Sequence, residues 1–132
     1  MEQLFNKLFV GDTVNPPAHV KQKIYDRFEN PVNIDWYLKN DVYEAIFYEK
    51  SREHIARIDE HGTLLDYKIN LPVDALPEKI KEISGSKGEI MNVVSIHNNR
   101  DISYELIVRN AQQKRYIIKI SGSGKITEKK RL

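Results

Sequence analysis

The 132-residue chain has no cysteine, which excludes disulfides, thiolate nucleophiles and cysteine-ligated metals. It also lacks an excess of either charge: 21 Lys and Arg stand against 19 Asp and Glu, interleaved along the chain, for a formal net charge of +2. That balance gives no strong footprint for nucleic acid or an anionic membrane. No apolar run approaches the length of a membrane-spanning helix, so membrane insertion is not expected. The start is not an export signal, because Glu2 comes early and Lys7 interrupts the apolar run. The location expected is cytoplasmic if Met1 is the native start, and periplasmic or exported if a signal peptide has been removed.

Catalytic signatures are missing too. His19, His54, His61 and His97 have no metal-ligand spacing such as HExxH or HxH. Only folding can bring His54 to Asp35 or Glu44 for acid–base work or zinc. Gly122-Ser123-Gly124-Lys125 fails as a phosphate loop, since Lys119 stands where the earlier glycine belongs and Ile126 where Ser or Thr belongs. It reads as a flexible hairpin turn. No Gly-x-Ser-x-Gly elbow occurs, so serine nucleophile chemistry has no support. The chain is read as a non-enzyme with no cofactor and no metal. The basic end, Lys125 with Lys129-Lys130-Arg131, reads as protection of an edge strand against aggregation. The 7 tyrosines lack the surrounding patterns of a base-stacking platform, so no nucleic-acid partner is expected.

What is present is a unit written twice. Pro17-Ala18-His19-Val20 returns as Pro77-Glu78-Lys79-Ile80, and Tyr43-Glu44-Ala45-Ile46 as Tyr104-Glu105-Leu106-Ile107. Ile58 through Gly62 returns as Ile120 through Gly124, in the same order and at a period of about sixty residues. Each half alone is marginal as an independent core, so one domain over 1–132 is expected, with repeats at 16–71 and 76–131. Residues 1–15 form an N-terminal arm. Within it Leu4, Phe5, Leu8 and Phe9 fall at helical spacing, either as a short helix packed on the domain or as an arm that docks on a second copy.

Pro17 suits the first turn of a helix whose apolar stripe is Val20, Ile24, Tyr25 and Phe28, with Asn30-Pro31 as its end. Strand-like alternation follows around Ile34 to Leu38, then over 42–49, 53–59 and 64–71. A shorter helix opens at Pro77 with Ile80 and Ile83 as its buried pair. The second strand set covers 89–97, 102–109, 114–121 and 125–131. Short turns make consecutive strands antiparallel. The fold class expected is α+β: two tandem helix–four-strand repeats forming one antiparallel sheet, with helices packed on one face.

Alternation also assigns faces. Tyr43, Ala45, Phe47, His54, Ala56 and Ile58 share the helix-covered side with Tyr104, Leu106, Val108, Tyr116, Ile118 and Ile120. The opposite face carries Tyr37, Glu44, Ile46, Tyr48 and Arg57, and in the second repeat Arg109 and Lys119. This mixture of aromatic, aliphatic and charged residues is richer than a merely solvated face needs.

The helix opener Pro17-Ala18-His19-Val20, then Phe28, Asn30-Pro31 and Asn33-Ile34-Asp35-Trp36, set a recognisable order. It continues with Tyr43-Glu44-Ala45, the turn from Asp59 to Leu64, Leu76-Pro77-Glu78-Lys79-Ile80 and Tyr104-Glu105. From about Pro16 to Lys130 this resembles the PepSY-like domains related in fold to the β-lactamase inhibitory protein. The resemblance implies two helix-plus-sheet repeats, a binding activity toward a protein or peptide, and no catalytic residues. The chain departs from it in its shorter second helix and in Ser121-Gly122-Ser123-Gly124, which replaces the Asp-x-x-Gly turn. The function expected is a non-enzymatic binding module for an unknown protein or peptide, engaged through Tyr37, Glu44, Ile46, Tyr48, Arg57, Arg109 and Lys119, with an inhibitor-like role as one form of it. The alternative is a structural protein that forms a homodimer through the sheet face or the arm.

Overall fold

The structure is a computed structural model that describes residues 12–132. The helix-spaced run at Leu4 to Phe9 lies outside the described residues. The architecture is α+β, with antiparallel strands and two α-helices among the described residues. Two compact units divide after Ile69.

In the first unit the elements are β1 (Asp12–Thr13), α1 (Ala18–Arg27), β2 (Val32–Lys39), β3 (Val42–Glu49), β4 (Arg52–Asp59) and β5 (Leu64–Leu71), whose last residues pass into the second unit. Each strand pairs antiparallel with the next. The short β1, which falls in the segment expected to be an arm, pairs with Tyr37 and Leu38. Helix α1 starts after Pro17, whose carbonyl accepts from the Val20 and Lys21 amides. It ends where Phe28 turns extended, at φ −116° and ψ 137°, ahead of Asn30-Pro31. Val20, Ile24 and Phe28 fall four residues apart and are buried, whereas Tyr25 is 57% exposed. Tyr25 was expected in the stripe; one residue after Ile24 it is turned about 100° away from it.

That stripe packs on Trp36, Ala45, Phe47, Ala56 and Ile58. Ala45 and Ala56 lie directly opposite each other and are fully buried, so the sheet is thin where the helix comes down. Phe28 meets Phe47 and Tyr67 edge-on, with ring centroids 5.0 and 5.1 Å apart. Such pairs add about 0.5–1.5 kcal/mol beyond the area they bury.

The second unit holds a 3-10 turn (Val73–Ala75), α2 (Glu78–Gly85), β6 (Glu89–Asn98), β7 (Asp101–Arg109), β8 (Arg115–Ser121) and β9 (Ile126–Arg131). Consecutive strands are again antiparallel. Leu76 and Ile80 pack with Val93, Tyr104, Leu106, Val108, Ile118 and Ile120. Ile83 is only half-buried. The second fully buried position of α2 is Ser84, one turn after Ile80, and its hydroxyl donates to the Ile80 carbonyl at 2.7 Å. The apolar pattern missed Ser84 because the hydroxyl is satisfied within its own helix, so burial leaves nothing unpaired.

Turn chemistry fixes the register. Asn40-Asp41 and Lys50-Ser51 have positive φ at both central positions, the type I′ geometry that matches strand twist. Three other hairpins share one different design. The Asp59 amide donates to the Thr63 carbonyl, Gly62 donates back to the Asp59 carbonyl, and Asp59 Oδ1 accepts from the His61 and Thr63 amides. Asn110 does the same with Gln113 and Lys114, and Ser121 with Gly124 and Lys125, its hydroxyl accepting from the Lys125 amide. The Ser121 turn, read from sequence as a departure, therefore reproduces the backbone pattern of the Asp59 turn.

Candidate functional site

Register places the first unit's candidate residues in cross-strand rows on the face opposite α1. One row is Tyr37, Glu44, Arg57 and Asp66, one residue from each of β2 to β5. The next is Asp35, Ile46, Ile55 and Lys68, and beyond it Val32, Tyr48 and Glu53. Two bulges shape this face. Asn33, at φ 54°, lies in the β2 irregularity between Val32 and Asp35. A second irregularity lets Ile58 face Leu64 while Arg57 faces Asp66. Leu65 is the extra residue there, so parity along β5 reverses after it.

The Tyr37–Asp66 row is centred on one ion pair. Arg57 donates from Nε and Nη2 to the two oxygens of Asp66, at 2.9 and 2.6 Å. These hydrogen bonds raise the guanidinium pKa above its ordinary value. Glu44 lies opposite Arg57 and is half-buried; burial pushes its carboxyl above the usual range, against the lowering pull of Arg57, Lys39 and Lys68. Glu44, Ile55, Arg57, Asp66 and Lys68 line a shallow groove of about 300 Å³. Beside it Tyr48 is 37% exposed and its cross-strand neighbour Val32 45% exposed.

Asp66 and Lys68 were absent from the sequence-derived set. Their alternation with Tyr67 and Ile69 was readable, but the bulge at Leu65 hides which parity faces outward. Arg109 and Lys119 belong to the second unit. Arg109 pairs with Glu89 at 2.7 Å, and Lys119 lies between Glu105 and Glu128 at 3.8 and 3.9 Å. They stand in different rows, separated by the Ile107–Ile117 row.

His54 does not meet Asp35 or Glu44. It points to the opposite, helix-covered side, where its ring stacks on Phe47 at 5.1 Å and Nδ1 bonds the Arg52 carbonyl at 2.9 Å. Burial lowers its pKa, partly opposed by that hydrogen bond and by Glu49. Among the described residues no three His, Asp or Glu side chains gather with metal-binding geometry.

No protein-family model and no curated protein matches the chain. Solved structures do. A DUF2874 family protein from Bacteroides uniformis aligns at TM-score 0.77 and 17% identity, over 87% of this chain and 88% of that one. A BLIP-like protein from Bacteroides fragilis gives 0.77 and 17%, over 90% and 88%. A Bacteroides eggerthii protein, named provisionally as periplasmic, gives 0.79 and 14%, over 89% and 90%. The fold is BLIP-like. Among the described residues no helix is long and apolar enough to cross a membrane.

Proposed function

We propose that the protein is a non-enzymatic binding module that engages a protein or peptide through the α1-distal sheet face of its first unit. The observation that carries this is the juxtaposition of exposed Tyr48 and Val32 with Ile46, Ile55 and the Glu44–Arg57–Asp66 row. A purely solvated face does not need two exposed apolar groups opposite each other beside a charge row whose arginine is already paired. Burying Tyr48 and Val32 against a partner contributes about 1.5–3 kcal/mol each. The paired charges orient the partner and reject mismatched ones.

A tandem-repeat, PepSY-like origin fits this reading. Both units carry an acid–base–acid row, Glu44–Arg57–Asp66 and Glu105–Lys119–Glu128. Both place a register shift at the corresponding position, after Arg57 and after Lys119. The scaffold is repeated while the exposed aromatic is not: Tyr48 corresponds to Arg109. That difference favours one contact face in the first unit. The provisionally periplasmic neighbour supports an exported location. An inhibitory role follows if the partner is an enzyme and this face covers its active site.

The test is calorimetric titration of an isolated partner with the Tyr37→Ala/Tyr48→Ala chain. Affinity should fall by two orders of magnitude or more, on the order of 3 kcal/mol. Unchanged affinity would remove this face from consideration.

A further inference from the structure

The near-neutral net charge conceals a segregation. Eight of the 21 Lys and Arg, but one of the 19 Asp and Glu, fall from Arg109 to the end of the chain. Six of these cations, Arg115, Lys119, Lys125, Lys129, Lys130 and Arg131, lie on the β8–β9 hairpin, so the interleaving of charge along the chain does not extend to this end. Thr127 to Leu132 are all exposed, and among the described residues β9 pairs only with β8.

Hydrogen-bond alternation shows what this edge offers. The Leu132 amide donates to the Arg115 carbonyl, so Lys130 and Glu128 direct their backbone groups to β8. The backbone groups of Lys129 and Arg131 then point away from the sheet. Side chains divide the other way. Lys130 faces the outer side opposite Ile117, while Lys129 and Arg131 lie on the helix side, with the Lys129 ammonium 4.8 Å from the Tyr116 ring centroid. Lys129, Lys130 and Arg131 have no ion pair among the described residues.

We propose that β9 is a strand-addition site for an extended polypeptide segment with consecutive acidic residues. A strand pairing with β9 places successive side chains on alternate faces, and past Glu128 the edge carries cations on both, Lys130 outside and Lys129 and Arg131 on the helix side. A partner with acid on only one face would satisfy half the cations; a consecutive run satisfies both. The outward amides and carbonyls favour a polypeptide over a nucleic acid, whose phosphates match the charge but not the alternating backbone donors and acceptors. Lysine on an edge repels a second copy of the same edge. The same charge selects an acidic strand.

The experiment is fluorescence anisotropy on the intact chain with a labelled peptide carrying about six consecutive Glu and Asp residues, the length of an ordinary strand. Two further ligands are an identical peptide N-methylated at alternate central amides and a single-stranded oligonucleotide of equal charge. The unmodified peptide should bind roughly tenfold or more tightly than either of the others, and Lys130→Glu should abolish that preference. Equal binding of the methylated peptide would reduce the site to a diffuse cationic surface. Equal or tighter binding of the oligonucleotide, or no binding of the acidic peptide at low salt, would also overturn the proposal.

Discussion

Arg57 and Asp66 form a two-pronged ion pair across β4 and β5, at 2.9 and 2.6 Å, on the face opposite the helix. The pair sits at a register irregularity, so the bulge at Leu65 is what brings the carboxylate in front of the guanidinium. The Arg57 side chain remains 44% exposed, and solvent screens the pair. A double-mutant cycle with Arg57→Ala and Asp66→Ala should therefore give a coupling of only about 0.5–1 kcal/mol in urea unfolding. A much larger value would mean that the pair holds the bulge itself.

The three matching hairpins differ at the residue with positive φ: Gly62 at 85°, Gln113 at 66° and Gly124 at 98°. Gly62→Ala should destabilise by about 1–3 kcal/mol, from the left-handed backbone and the approach of a Cβ to His19 Cδ2 at 3.2 Å. Gln113→Gly should be neutral to stabilising, by up to about 1 kcal/mol, because glycine relieves the same conformation. Thermal unfolding of the two variants checks the sign of each; effects of equal sign would contradict a shared turn design.

His54 gives stability a pH dependence of definite sign. Its folded pKa is depressed by burial below the ordinary 6.5, so the unfolded imidazole binds a proton more readily than the folded one. Stability is full above that value and falls as pH drops below it. Urea midpoints at about pH 7.5 and about pH 5.5 span this window while leaving most carboxylates ionised. His54→Phe, which suits the aromatic cluster of Phe28 and Phe47, should flatten the difference; an undiminished difference would place its origin elsewhere.

Glu44 carries the opposite sign. Burial raises its carboxyl pKa above 4.5, so its ionisation opposes folding, and that cost is present above the raised value. Glu44→Gln should leave the chain at least as stable at neutral pH by urea titration. A loss would show that the attraction of Arg57 outweighs burial.

Much of the fold was legible because strands announce themselves by parity. Val42–Glu49 and Leu64–Leu71 emerge with the limits their alternation implies. The buried rows through Ala45, Phe47, Ala56 and Ile58 follow from the same alternation. Other features depend on more than polarity. Tyr25 is apolar enough for the stripe but rotated off it, and Ser84 is polar yet buried because its own helix satisfies it. The two-residue β1 is too short to carry a period. For the candidate site, the face was readable and its electrostatics were not. Arg57, Arg109 and Lys119 look available in sequence, but side-chain geometry pairs each with an acid in its own unit.

The central claim is that a partner docks on the face bearing Tyr48. It is tested most directly by placing the photo-crosslinking residue p-benzoylphenylalanine at position 48 in one chain and at position 25 in another. Tyr25 is the better exposed of the two, at 57% against 37%, so exposure alone favours the wrong position. Irradiation in lysate and cell envelope of the source organism should yield a discrete protein adduct from position 48 and none from position 25. An adduct of the chain with itself would keep the face and make the partner a second copy. Adducts from position 25 alone, or equally from both, would contradict the account.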